Sequence, residues 1–270
     1  MFRSFLRLSA LCLVLFGGLA PGSAQPADMG KLQARAESGE AQAQTDLGIL
    51  FHDKKDYEHA LVWFRRAAAQ SNAEAQNKLG WYYFFGKGVP QDYAEALKWT
   101  TKAAFQGLAK AQSNLAQMYY FGTGVQRDYG EAVKWFRKAA EQGLAEAQGK
   151  LGALYAAGHG VVQDHALAAQ WYRKAAEQRA PDAQYDLGFL YQEGRGVERD
   201  LAEAARWYRK AAEQGHLKAQ FDLAGLYFKG SGVAKDFQEA ATWYRKAAQQ
   251  ADQQSQFNLA MLYAAGEGVP

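Results

Sequence analysis

The chain has 270 residues, with 31 lysines and arginines against 28 aspartates and glutamates, and a formal net charge of +3. Its charges are interspersed, so it lacks the basic stripe that nucleic-acid binding requires. One cysteine, Cys12, rules out an intrachain disulfide framework and a thiolate metal centre.

Residues 1–24 read as a secretory signal peptide. Arg3 and Arg7 form a charged start, Leu8 to Leu19 an apolar stretch, and Gly22-Ser23-Ala24 a small-residue cleavage site before Gln25. The apolar stretch is too short for a spanning helix, so no stable membrane anchor is expected after cleavage. Cleavage would remove Cys12, Arg3 and Arg7 and take the net charge from +3 to +1. The expected destination is the periplasm or the extracellular medium. Residues 25–40 read as an N-terminal capping segment, with Lys31 to Gly39 aligning to a second helix and Leu32 taking its aromatic slot.

From Ala41 the chain repeats itself. Trp63, Trp99, Trp135, Trp171, Trp207 and Trp243 fall 36 residues apart. Copies begin at Ala41, Ala73, Ala109, Ala145, Pro181 and Leu217, and a terminal half repeat begins at Gln253. A period of this size marks a solenoid, in which each unit buries its apolar face by stacking on its neighbours. In the copy from Ala73, residues Ala75, Leu79, Tyr82, Tyr83 and Gly86 follow the spacing of one helical face. Gly86 ends that helix, and Ala75 and Gly80 allow close approach of a neighbour. Asp92 caps the second helix, and Glu95 would complete a reciprocal capping box. Asp128 with Glu131, Asp200 with Glu203, and Asp236 with Glu239 repeat that pair, whereas Asp164 is followed by Leu167. Ala96, Trp99 and Ala103 share a face expected to pack on the next repeat. The Arg137-Lys138 pair reads as a solvated edge near a helix C-terminus. The terminal half repeat stops at Gly268-Val269-Pro270, where an Asp-capped second helix should begin, and leaves Leu259, Leu262 and Tyr263 without a hairpin partner of their own. Either the chain continues in the natural gene, as Val269-Pro270 mirroring Val89-Pro90 favours, or that edge is open to a partner or to self-association.

Leu-Gly-x-x-Tyr, Gly-x-Gly-Val, Asp-x-x-x-Ala and Trp-Tyr-Arg-Lys-Ala-Ala together resemble the Sel-1-like repeat family, relatives of the tetratricopeptide repeats. The resemblance covers Ala41 to the end. It implies an all-α fold, an α/α superhelix or solenoid of helix hairpins acting as a protein-interaction scaffold, with bacterial members often exported for envelope signalling, secretion or host contact. The first copy departs from the pattern: Phe51 to Asp56 lacks Gly-x-Gly-Val and is four residues shorter. A cysteine-rich branch of the family binds or hydrolyses β-lactams, which makes a cell-wall or β-lactam-directed hydrolase the alternative. The cysteines that branch uses are missing from these repeats.

No Gly-x-Ser-x-Gly elbow, His-Glu-x-x-His or Walker-type loop occurs. His159 and His165 share one interhelical loop without an evident third ligand, so no metal and no cofactor are expected. The expected ligand is a protein or peptide, with no nucleic acid. Counting the first residue of each unit as one, positions five, nine and twelve lie opposite the Leu-Tyr face and would line a concave groove. They hold Trp81, Phe84, Tyr120, Tyr185, Phe189, Phe221, Phe228, Phe257 and Met261. Gly149, Ala153 and Ala156 interrupt the run. Rings at this density signal recognition, unless curvature buries them against one another as additional core.

Overall fold

The computed structural model describes residues 26–268, so the expected signal peptide and Val269-Pro270 lie outside the described residues. Those residues form fourteen α-helices and no strand. They divide into two compact units, Met1–Met118 with Thr123–Val125, and Tyr119–Gly122 with Gln126–Pro270. The first contains α1 (Pro26–Glu37), α2 (Ala41–Asp53), α3 (Tyr57–Ala69), α4 (Ala73–Phe85), α5 (Tyr93–Phe105) and most of α6 (Ala109–Phe121). The second contains α7 (Tyr129–Glu141), α8 (Ala145–Ala157), α9 (His165–Glu177), α10 (Pro181–Glu193), α11 (Leu201–Glu213), α12 (Leu217–Lys229), α13 (Phe237–Gln249) and α14 (Gln253–Ala265). Among the described residues no helix is long and apolar enough to cross a membrane.

Each hairpin begins and ends as its residues dictate. Gly86 closes α4 in the left-handed conformation at φ 63°. Asp92 then accepts from the backbone N–H groups of Ala94 and Glu95 at 2.9 and 3.0 Å, and α5 starts. The reciprocal half of the expected capping box is not formed. Glu95 turns forward instead, accepting from Trp99 Nε1 at 3.0 Å and pairing with Lys98 at 2.7 Å. The reason is that the Asp92 N–H is already committed to the Tyr83 carbonyl. Glu131 pairs likewise with Lys134, Glu203 with Arg206, and Glu239 with the Trp243 indole.

The core is built from buried alanines, one or two leucines per repeat, and rings such as Phe64, Tyr82 and Tyr208. Ala75, Leu79, Ala96 and Ala103 are fully buried in the first unit, and Ala204, Ala219, Leu223 and Ala240 in the second. Close approach is enforced by Gly188 on α10, where an added Cβ would lie 2.8 Å from the Tyr208 ring of α11. A buried glutamine ties successive repeats together. Gln184 donates to the Ala176 carbonyl of the preceding helix at 3.0 Å and accepts from Gln214 at 2.8 Å. Gln76 and Gln220 make the same two bonds, which satisfies carbonyls that a helix C-terminus leaves over.

Two expectations about the second helices are corrected. Trp99 packs backward, on the cluster made by α3 and α4, and Trp63 on that made by α1 and α2. The indole stays half-buried at Trp63, Trp99, Trp171 and Trp207 and is buried at Trp135 and Trp243. A lysine covers the ring: Lys102 lies 4.4 Å from the Trp99 ring centre, Lys174 4.3 Å from Trp171, and Lys210 3.8 Å from Trp207. The Arg-Lys pair is therefore more than a solvated edge. Its lysine makes a cation–π contact, and Arg173 and Arg245 donate to the hydroxyls of Tyr191 and Tyr263. In the terminal half repeat Leu262 is buried and Tyr263 is tied to Arg245, so that helix is partly covered by α13.

The second glycine of Gly-x-Gly also acts between repeats. Gly88, at φ 68°, brings its loop within 3.0 Å of the Tyr57 carbonyl at the start of the preceding hairpin's second helix, measured from where a Cβ would stand. The first copy dispenses with this motif and turns through Lys55 at φ 61°.

Candidate functional site

In the first unit the expected groove residues separate. Trp81 is half-buried, with His52 at 5.2 Å and Phe85 at 4.9 Å between ring centres. Phe84 is only 9% exposed and packs with Ala96 and Met118, its ring 5.1 Å from Tyr93. Position twelve thus points to the start of the following helix, and Phe84 serves packing where a groove ring was expected. Beside Trp81 lies Lys78, only 4% exposed. Burial pushes its ammonium down to about 8, and Lys110 acts in the same direction. His52 Nδ1 lies 2.9 Å from the Tyr82 hydroxyl, and burial holds the imidazole below its ordinary value.

In the second unit Tyr120 also sits against the following helix, 5.1 Å from Tyr129, with His159 stacked on that same Tyr129 at 4.9 Å. His165 opens α9 and so leaves the loop that it was expected to share with His159. Phe228, 40% exposed, leans 5.5 Å from Phe237 in the same position-twelve manner.

Positions five and nine behave differently. Tyr185, Phe189 and Phe221 are half-buried, packed against the core of α11 to α13 while keeping part of each ring in solvent. Phe257 and Met261 on α14 are 61% and 56% exposed. Tyr185 lies in a stack, 4.7 Å from His216 on one side and 5.4 Å from Tyr208 on the other. Its hydroxyl donates to Asp222 Oδ2 at 3.0 Å.

Carboxylates are interleaved with these rings. Asp186 follows Tyr185 in the chain and shares a hydrogen bond with Tyr172. Burial raises it to about 6, and Asp182 adds to the rise. Asp222 is also raised by burial, a shift that its bond from Tyr185 opposes. His216 caps α12 through Nδ1, which accepts from the Ala219 N–H at 3.1 Å. That bond leaves the proton on Nε2, which faces Asp182 Oδ1 at 3.4 Å. Hydrogen bonding to His216 holds Asp182 below the usual carboxylate range. The arrangement is a rigid aromatic surface with fixed acceptors, suited to binding.

Asp186, Asp222, Lys78 and His216 were absent from the expected site. Each adjoins or stacks on an aromatic slot. The signal available for Lys78, Asp186 and Asp222 was a charged residue at position six, between the slot and the core leucine, whereas His216 stands at the N-cap just before its copy.

The Sel1 repeat model matches residues 41–72, 73–108, 109–144, 145–179, 181–216, 217–252 and 253–270. Comparison with curated proteins returned no match. Among solved structures, an Escherichia coli protein described as a protective antigen of uropathogenic strains displaying this fold is 44% identical, with a TM-score of 0.85. The match covers 88% of this chain and 52% of that one, so the present chain spans about half the length of that relative. A Sel1 repeat protein from Oxalobacter formigenes is 39% identical at a TM-score of 0.76, covering 82% of this chain and 91% of that one. The repeat model accounts for nearly all of the chain beyond residue 40, and the chain belongs to the Sel1 repeat family, whose members are typically protein-interaction scaffolds.

Proposed function

We propose that this protein is an exported scaffold that binds another protein or a peptide through its half-exposed aromatic surface. The observation that carries this reading is the state of Tyr185, Phe189 and Phe221. Their helices already bury Leu187, Leu190, Leu223 and Leu226, yet these rings stay partly in water. Exposed rings offer large contact area at small entropic cost, so they serve as anchors for a partner. Phe257 and Met261 extend this surface within the second unit, and Trp81 is the corresponding candidate in the first.

Export rests on the charged start, apolar stretch and small residues of positions 1–24, which also fit an envelope or host-facing role. The Escherichia coli relative, described as a protective antigen, supports such a setting. Two measurements test the proposal. Mass spectrometry of the exported protein should find Gln25 as its first residue, and a mature chain retaining Met1 would contradict export. Replacing Trp81, Phe189 or Phe221 with alanine should weaken partner binding by about 1–4 kcal/mol at hot spots, with helical content unchanged. The Phe84→Ala variant should instead lose stability. Unfolding of the first three variants would mark those rings as core and remove the proposed surface.

A further inference from the structure

We propose that the aromatic surface of α10 and α12 selects a partner segment carrying a lysine or arginine side chain, seated on Phe189 and Phe221 with its charged head at Asp186 and Asp222. This rests on the binding role proposed above and names the chemistry of what is bound.

Three independent features of the second unit converge on it. The two carboxylates are held by two tyrosines: Tyr185 donates to Asp222 at 3.0 Å, and Asp186, the next residue in the chain, shares its hydrogen bond with Tyr172. Both carboxylates lie near enough to act on the Tyr185 phenol. Both are withdrawn from water far enough to raise their pKa values, Asp186 to about 6. Lys218 and Lys229 lie near enough to act on Asp222, but both are solvent-exposed. Among the described residues neither closes to ion-pair distance on Asp186 or Asp222, and the histidine of the cluster pairs with Asp182 instead. Two enclosed carboxylates thus have tyrosine hydroxyls as partners and, among the described residues, no cation at ion-pair distance, His216 and Lys218 acting on both from further away.

The second feature is the apolar setting. A lysine or arginine side chain has a long aliphatic stem and a charged end, and needs a ring surface for the first and a carboxylate for the second. Phe189 and Phe221 supply the rings beside the acids. An alkyl or aromatic side chain would leave the acids desolvated without compensation, and an acidic one would be repelled. The third feature is the Arg195 guanidinium, which already lies 5.7 Å over the Phe189 ring. The face of this ring accepts a cation.

The same surface in the first unit provides no such site. Position six there is Asp46 on α2 and the buried cation Lys78 on α4, so the preference belongs to the second unit.

The test uses the chain from Gln25 to Pro270 and a displayed library of random ten-residue peptides. The bound pool of the wild type should show lysine or arginine enriched about tenfold at one position, with apolar neighbours, as one desolvated charge pair would produce. The double variant Asp186→Asn, Asp222→Asn keeps acceptors for the tyrosine hydroxyls. It should retain a pool rich in apolar residues and lose the basic enrichment. Phe189→Ala with Phe221→Ala should lose the pool altogether, circular dichroism reporting that each variant is folded. An apolar pool from the wild type without basic enrichment, or basic enrichment that survives in the Asn variant, overturns this inference and leaves the proposed scaffold role intact. A wild type that enriches no peptide overturns both.

Discussion

Helices of the two units are written in the same repeat yet resolve one slot in opposite ways. At position six α4 of the first unit buries a cation, Lys78, near Lys110, while α10 and α12 of the second enclose the carboxylates Asp186 and Asp222. Asp46 on α2 and Lys150 on α8 show that neither sign belongs to a whole unit. The frame around the slot also differs. At position twenty-eight, or its equivalent in the shortened first copy, the first unit has Phe64 and Thr100, and the second has Phe136 on α7 and then Tyr172, Tyr208 and Tyr244. Tyr172 bonds to Asp186, and Tyr208 reaches the Gln192 amide at 3.2 Å. The Tyr172 phenol on α9 thus gives the carboxylate on α10 a partner, which a phenylalanine such as Phe64 cannot supply. The difference teaches that the repeat sets helix packing, while the slots beside the core are free to carry charge of either sign.

The most severe test of that comparison is the tyrosine itself. Tyr208 is fully buried and braced by Gly188, so Tyr208→Ala should cost about 3–5 kcal/mol in a denaturant titration. Thr100 fills the equivalent place against Gly80, and Thr100→Ala should cost about 1 kcal/mol. Equal losses would mean that position twenty-eight bears the same load in both units.

Next come the slot charges, whose pH signatures should be opposite. The folded pKa of Lys78 lies near 8, below its ordinary 10.5. The unfolded chain therefore binds the extra proton between those values, and the penalty for burying Lys78 is complete below pH 8 and gone above about 10.5. Lys78→Met should stabilise the protein by about 2 kcal/mol at pH 7, the gain fading as pH rises through that window. The folded pKa of Asp186 lies near 6, above its ordinary 3.8. Here the folded chain holds the extra proton, so the penalty is complete above pH 6 and absent below about 4. Because Asp186 keeps some solvent contact, Asp186→Asn should gain about 1–2 kcal/mol at pH 7, and nothing below pH 4. Thermal unfolding of both variants between pH 4 and pH 10 reads this directly. Parallel rather than opposed pH profiles would break the comparison.

The frame was legible because it is local and repeated. Asp caps, left-handed glycines and the Leu-Tyr face each follow from one residue's chemistry, and six copies of each leave the register unambiguous. The candidate surface was half legible. Positions five and nine could be placed from periodicity, and Tyr185, Phe189 and Phe221 do keep part of their rings in solvent. Position twelve could not, because one further turn carries Phe84 and Tyr120 past the hairpin to the start of the next helix. Partner choices were illegible for a related reason. Glu95 has the capping-box spacing, but its bond to the Trp99 indole depends on the Asp92 N–H being taken by Tyr83, a contact across the loop. The same holds for Asp222, whose tyrosine donor lies 37 residues earlier.

The smallest effect concerns the turn between repeats, where both units again use one slot in two ways. Gly107, Gly143 and Gly215 hold it at φ 90°, 89° and 86°, whereas Ser71, Arg179 and Ala251 stand there at φ 64°, 66° and 64°. A residue with a Cβ in this left-handed region is strained by about 1–2 kcal/mol, partly offset because glycine gives up more backbone entropy on folding. Arg179→Gly and Ser71→Gly should therefore each stabilise by about 0.5–1 kcal/mol. The reverse change, Gly215→Ala, should cost about 1 kcal/mol. No atom lies within 4 Å of the position its Cβ would take, so backbone strain alone would be measured. Denaturation midpoints of the three variants decide the matter, and a destabilised Arg179→Gly would show that the arginine makes a contribution beyond the turn.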